Sequence, residues 1–332
     1  MNPPAASAAR LLVAALRASS GPLRALPWLA AVAGFFLFPG YEPLATQVFI
    51  MILFAMSLDL LVGYAGIVTL GHAALFGCGA YTAGILDLHG MTDPLANALC
   101  AMLAASAIGL LSGSLMLKTK GLAFLMLSLA TTELLHEIAN KAAFWTGGAD
   151  GLQGMSFGPV LGEFALDFRG RTAYVYSLSA LFLAYLFLRA LINSPFGWSL
   201  RGIRENDARM RALGCSIFSR RLAAYVIASA LAGLAGALQA QTTQFVALDS
   251  LSFELSGNVL IMLILGGSGR LYGALLGVPL FMFAQDSLAK QDPANWYLWL
   301  GVILLGLTLF APGGILGIAE RVWRALQRRG GP

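Results

Sequence analysis

The chain has 332 residues, of which 58% are hydrophobic and 11% charged, with 21 Lys and Arg against 16 Asp and Glu. Soluble domains carry about a quarter of charged residues, so this composition excludes a soluble enzyme, a disordered chain and a nucleic-acid binder. It describes a protein whose main solvent is lipid.

In chain order, residues 1–24 form a cytoplasmic N-terminal segment. Its apolar run is short and interrupted by Arg17, which fits an amphipathic surface helix better than a secretory signal. Ten apolar runs follow, at about 25–40, 44–62, 67–86, 95–117, 121–139, 173–193, 222–243, 252–268, 271–288 and 297–316. Each approaches the roughly 20 residues that a membrane crossing needs. Eight or nine spans stay open, because 25–40 is short and 252–268 is parted from 271–288 only by Ser-Gly-Arg. Residues 25–316 thus make a transmembrane domain, and 317–332 a basic cytoplasmic tail. With both termini inside, 17 basic residues fall on the inner side and four on the outer: Lys141, Arg169, Arg171 and Lys290. That asymmetry supports the count and the orientation.

The run GYAGIVTLGHAALFGCGAYTAG at 63–84 holds six glycines in 22 residues. A span so rich in glycine is a poor helix, and unwound backbone at membrane depth is tolerated where it lines a cavity or is buried in protein. This segment, with Gly63, Gly66, Gly71, His72, Gly77 and Gly79, is therefore the candidate translocation path. Ionisable residues inside spans include Asp59, His72, Glu133 and His136. Asp59, near the inner end of its span, reaches either solvent or a helix terminus. His72 serves either as a ligand group or as a hydrogen-bond partner for a freed carbonyl. Glu133 and His136, three apart, share a helix face and can pair. Asp59 and Glu133 join the candidate path.

The outer loop, 140–172, carries TGGADGLQG at 146–154, a surface turn or a docking loop. The inner loop, 194–221, is richest in arginine. Ser194 and Pro195 read as a helix start, Arg204 to Leu213 as a short charged helix, and Gly214 as its C-terminal cap. Glu205, Asn206 and Asp207 add signs that orientation alone does not require, so the loop either docks a cytoplasmic partner or is simply solvated. Small residues at helical spacing (Gly109 and Gly113; Ala232, Gly236 and Ala240; Gly269, Gly273 and Gly277) predict close helix packing. Cys78, Cys100 and Cys215 read as free thiols. No lysine follows a glycine, so the chain lacks a G-x-x-x-x-G-K-[ST] phosphate loop. It binds no cofactor of its own by this reading, and if transport is ATP-driven, ATP with magnesium belongs on another polypeptide.

The runs GYAGIVTLGHAALFGCGAYTAGIL (63–86), TGGADGL (146–152), FGWSLRGIRENDARMRALG (196–214), AAYVIASALAGLAGAL (223–238) and GGSGRLYGALLG (266–277) resemble the LivM-type permeases of branched-chain amino acid ABC importers. The resemblance covers nearly everything after residue 44, in order and spacing. It implies an all-α polytopic membrane protein of about ten helices, built like a type II importer with inverted five-helix halves. It also implies a bacterial inner-membrane location and import of leucine, isoleucine and valine. Implied partners are a second, LivH-type permease, two cytoplasmic ABC ATPases and a periplasmic solute-binding protein. Arg204, Glu205, Asn206, Ala208, Ala212, Leu213 and Gly214 match the family's ATPase-contacting segment. Thr146, Gly147, Gly148, Asp150 and Gly151 lie where the binding protein would dock. Asp59 stands where many members carry Asn, and Glu133 in a stretch that often contains Gln. Related permeases move urea, short amides or other amino acids, so those solutes are alternatives. The rival class is an ion-coupled secondary transporter, which would depend on Asp59 and Glu133.

Overall fold

The computed structural model describes residues 40–160, 162–164 and 170–292, with positions 28, 31, 35, 295, 298–302, 305, 306 and 314. The expected segments 1–24 and 317–332 lie outside these residues, as do most of 25–40 and of 297–316.

Among the described residues the regular structure is helical, with isolated antiparallel bridges at Leu152–Val246 and Val160–Phe164. We number the helices α1 Glu42–Asp59, α2 His72–Leu88, α3 Pro94–Met116, α4 Leu122–Lys141, α5 Arg171–Asn193, α6 Pro195–Glu205, α7 Asp207–Ala212, α8 Ile217–Thr243, α9 Phe253–Gly266 and α10 Leu271–Gln291. A π turn, Leu60–Ala65, prolongs α1. Six of these segments are long and apolar enough to cross a membrane: α1 with its π turn, α3, α4, α5, α8 and α10. They match six of the ten expected spans. The expected spans 67–86 and 252–268 are also helical, but α2 has 17 residues and α9 has 14.

The chain divides into two compact units, 43–260 and 1–42 with 261–332. In the larger unit α1 with its π turn is the central helix, 89% buried over its apolar stretch, against 28% for α3 and 22% for α4. The outward faces of α3, α4 and α5 carry Leu103, Leu111, Leu115, Met126, Leu183 and Phe187, all exposed. Apolar faces of that size suit lipid or partner helices.

Glycine sets the packing inside. A Cβ on Gly79 would strike the backbone of Gly233, and one on Gly236 the carbonyl of Phe76, so α2 and α8 touch backbone to backbone. Gly109 faces Ser229, and Gly113 faces Tyr225, along the α3–α8 crossing. The small-residue pattern therefore works as the sequence predicts. It also corrects the reading of Gly77 and Gly79 as unwound. Both lie inside regular α2, and the real break is confined to Gly66–Gly71. Tertiary contact outweighs the weak helical preference of glycine here. In the smaller unit Gly273 and Gly277 lie in α10 against Gly266, while Gly269 sits in the preceding turn at φ +81. The three cysteines are free thiols, each half-buried.

Candidate functional site

The break after the π turn is built from several elements. Gly66, left-handed at φ +70, ends the π turn, and its N–H and that of Ile67 both reach Leu61 O. The freed backbone beyond it is answered by side chains. Ser128 of α4 accepts from Leu70 N at 3.2 Å, and Thr69 accepts from Gly71 N at 3.1 Å. Ser256 of α9 accepts from Ala73 N at 2.9 Å, satisfying a donor in the first turn of α2. This is the condition under which broken helices persist in a membrane.

His72 opens α2 and is fully buried. Its Nε2 lies 2.7 Å from Ser57 Oγ, and the ring stacks on Phe54 at 5.2 Å and 5°. Ser57 Oγ donates to Phe54 O at 2.6 Å. A hydroxyl has one proton, so His72 Nε2–H is the donor to Ser57 Oγ. The partner of His72 is thus a hydroxyl and not the freed carbonyl expected. Asp59 is also fully buried, at the joint between α1 and the π turn. It does not reach solvent. Glu133 is exposed on α4. The ion pair on α4 is Glu137–Lys141 at 3.2 Å.

The inner loop is a helical hairpin. Ser194 caps α6, accepting from Gly197 N, with Pro195 in the first turn. The expected single helix from Arg204 to Leu213 is interrupted at Asn206, which adopts φ −157 and ψ 101. Asn206 Oδ1 then caps α7 by accepting from Arg209 N at 3.0 Å. A capping side chain favours a new helix start over continuation, and the sequence reading missed that signal. Gly214 does end α7, at φ +80, with Cys215 N bonded to Met210 O at 3.0 Å. Glu205, Ala208, Ala212, Leu213 and Gly214 are exposed, and Leu213 retains 74% of its accessibility.

Arg204 behaves differently from its neighbours. Its guanidinium donates to Gly63 O in the π turn, and its stem covers the α-hydrogen side of Gly66, where a Cβ would meet Arg204 Cγ at 2.9 Å. A cation on a carbonyl near a helix C-terminus is favourable. Arg201 stacks over Tyr64 at 5.2 Å and over Trp198 at 5.1 Å. The charged hairpin is thus clamped to the membrane break. Sequence reasoning placed Arg204 at the partner face and missed Arg201 and Tyr64, since no local pattern links residues so far apart.

Asp207 is the second anchor. It accepts from Lys120 Nζ at 2.6 Å and from both Arg221 terminal nitrogens, at 2.9 and 3.3 Å. Partial burial raises the carboxyl pKa. The Lys120 hydrogen bond and the charges of Arg221, Lys120 and Arg211 outweigh that and hold it below the ordinary aspartate value.

At the other end of the larger unit the 146–151 motif folds on itself. Thr146 Oγ1 donates to Ala139 O at 2.5 Å and accepts from Gly148 N at 3.3 Å. Gly147, Gly148 and Gly151 have φ of +76, +58 and +73, and a Cβ on Gly151 would lie 2.7 Å from Val246 O. Thr146, Gly148 and Gly151 are buried, Gly147 is half-buried and Asp150 is exposed. The glycines here serve turn geometry, with Asp150 left facing outward.

Comparison with known proteins came to the same place. The family model described as branched-chain amino acid transport system / permease component matches residues 40–311. The chain is 27% identical over 316 residues to the high-affinity branched-chain amino acid transport system permease protein LivM of Escherichia coli, covering 89% of this chain and 74% of that one. It is 27% identical over 311 residues to the probable branched-chain amino acid transport permease protein LivM of Methanocaldococcus jannaschii, covering 79% and 89%. The guanosine ABC transporter permease protein NupQ of Bacillus subtilis is 27% identical over 284 residues, covering 77% and 85%. No solved structure matches the chain.

Proposed function

The chain belongs to the permease-component family of branched-chain amino acid transport systems, and on that premise we propose that it is a membrane subunit of an ABC importer for leucine, isoleucine and valine. In this proposal it spans the bacterial inner membrane about ten times, in two inverted five-helix halves, with both termini in the cytoplasm. It pairs with a second permease, two ATPases that bind ATP and magnesium, and a periplasmic binding protein. The binding protein rests on the outer loop around Asp150. The ATPases engage the hairpin through Glu205, Ala208, Ala212, Leu213 and Gly214.

The observation that carries the mechanism is the clamp between hairpin and break. α6 reaches the π turn through Arg204 on Gly63 O and Arg201 on Tyr64. Motion of the hairpin as ATP closes the ATPases then pulls on the one place where the central helix is already unwound. Rigid coupling needs a connection of this kind between two arrangements of a packed element. Solute crosses beside the break at Gly66–Gly71, near Asp59 and His72, with little chemistry asked of this chain.

The guanosine relative favours a second reading in which another solute is carried. The ion-coupled alternative would depend on Asp59, which is buried, and on Glu133, which is exposed on α4. Uptake by reconstituted vesicles, with the proton gradient collapsed and ATP present, tests the main reading. Continued uptake is expected, and uptake that follows the gradient instead of ATP overturns it.

A further inference from the structure

At the hairpin end of the larger unit a cavity of about 240 Å³ opens between the membrane break, the α3–α4 loop and the start of α8. Gly66 and Val68 line it from the break, Lys120 from the loop, Phe124 from α4 and Arg221 from α8. It falls below the roughly 300 Å³ at which sites for whole small molecules begin, so it suits a headgroup whose remainder lies outside.

The polar side of this cavity is cationic. Lys120 keeps 58% of its side-chain exposure while giving Asp207 a single bond, and an ammonium has three donors. Arg221 differs: both its terminal nitrogens already hold Asp207, so it supplies charge and a wall rather than a free donor. Lys120, Arg211 and Arg221 all act on the Asp207 carboxylate. Three cations around one carboxylate leave that cluster two positive charges in excess. Exposed Lys118 stands two residues from Lys120.

The other side is apolar. Val68 is exposed at the cavity. Leu115, near the end of α3, and Leu122, at the start of α4, retain 69% and 70% of their accessibility. Leu111 and Met126, one turn further into each helix, are exposed as well. Both helices are long and apolar enough to cross a membrane, so these side chains lead from the level of the cavity into the acyl region. A soluble anion has no use for such a flank, whereas a phospholipid uses both parts. Basic pockets between transmembrane helices hold anionic headgroups on this principle.

We propose that the cavity seats the phosphate of an anionic glycerophospholipid from the leaflet on the hairpin side. The phosphate lies on Lys120, and the acyl chains run along the exposed leucines of α3 and α4. The lipid then shares Lys120 with Asp207, the carboxylate that anchors α7, so leaflet charge and hairpin anchorage are linked. The inference needs a membrane at this level and does not depend on the importer reading, because lipid binding is measured without transport.

For the test, the full chain with its co-purifying subunits is delipidated and titrated with phosphatidylglycerol or phosphatidylcholine of equal chain length. Bound lipids are counted by native mass spectrometry. Phosphatidylglycerol should be retained in preference, and glycerol 3-phosphate at tenfold its concentration should not displace it. Lys120→Gln should weaken phosphatidylglycerol binding about fivefold, the effect of one basic residue at an anionic surface. Asp207→Asn removes the competing charge and should tighten it, whereas mere damage to the loop would weaken it in both variants. Lys290→Gln, which removes an exposed cation in the smaller unit, should leave it unchanged. Equal retention of the two lipids overturns the proposal, as does unchanged binding in Lys120→Gln or an equal loss in Lys290→Gln. Unchanged or weaker binding in Asp207→Asn overturns it too, and displacement by glycerol 3-phosphate assigns the cavity to a soluble anion instead.

Discussion

Arg204→Met isolates the clamp. Methionine keeps a stem over Gly66 and removes the donor to Gly63 O. A hydrogen bond to a charged group contributes about 1.5–3 kcal/mol. Arg204 is largely exposed, so water replaces part of that interaction and the loss falls at or somewhat below the low end of that range. About 1–2 kcal/mol corresponds to a factor of about 5–30 in local opening. Amide exchange at Gly66 and Ile67, whose N–H groups bond Leu61 O, should therefore speed up by that factor while exchange in α3 stays unchanged. Solute moved per ATP hydrolysed should fall in the same variant, with binding-protein docking intact. Gly66→Ala gives an independent handle. A left-handed alanine costs about 1–2 kcal/mol, and its Cβ presses on Arg204 Cγ at 2.9 Å. Combining Gly66→Ala with Arg204→Ala relieves the steric part only, so the double variant should be milder than the sum. Unchanged exchange at Gly66 together with unchanged coupling in Arg204→Met would refute the clamp.

Asp207→Asn should loosen α7 from Lys120 and Arg221. The Lys120 pair is exposed and adds about 1 kcal/mol at most, with the Arg221 contact adding more because Arg221 is 16% exposed. Because the folded pKa is depressed, the contribution is complete above the ordinary value of about 3.9 and is lost as pH falls through the lower folded value. The difference in melting temperature between wild type and Asp207→Asn should stay constant between about pH 8 and 5 and shrink below about pH 4. Ser57→Ala strands the His72 Nε2–H in a buried site, which costs about 1–3 kcal/mol and should appear as a lower melting temperature of the solubilised complex. Gly236→Val, aimed at the carbonyl of Phe76, should abolish assembly, whereas Gly257→Ala, with open space around it, should leave the melting temperature equal or slightly raised.

Much of this molecule is visible one residue at a time. Ser194, Pro195 and Gly214 mark the hairpin's ends because capping depends on nearest neighbours. Gly109 and Gly113 predict close packing because small residues at that spacing suit little else in lipid. The Asn206 cap is equally local, since its side chain accepts from Arg209 N three residues on. The glycines from 63 to 84 misled in part, since their number says nothing about which of them face backbone and which lack a helical partner.

Sequence alone determined that lipid is the solvent, where most of the spans run, and which loop is charged, since hydrophobicity and capping act over a few residues. The tertiary structure decided which groups meet: Arg204 with Gly63 across 141 positions, Ala73 with Ser256 across 183, and Gln241 with Pro94 across 147. It also decided that Glu133 is exposed while Asp59 is enclosed. Such pairings follow from how helices cross, and crossing is set by the joint shape of many small residues on several helices, which no short window of sequence contains.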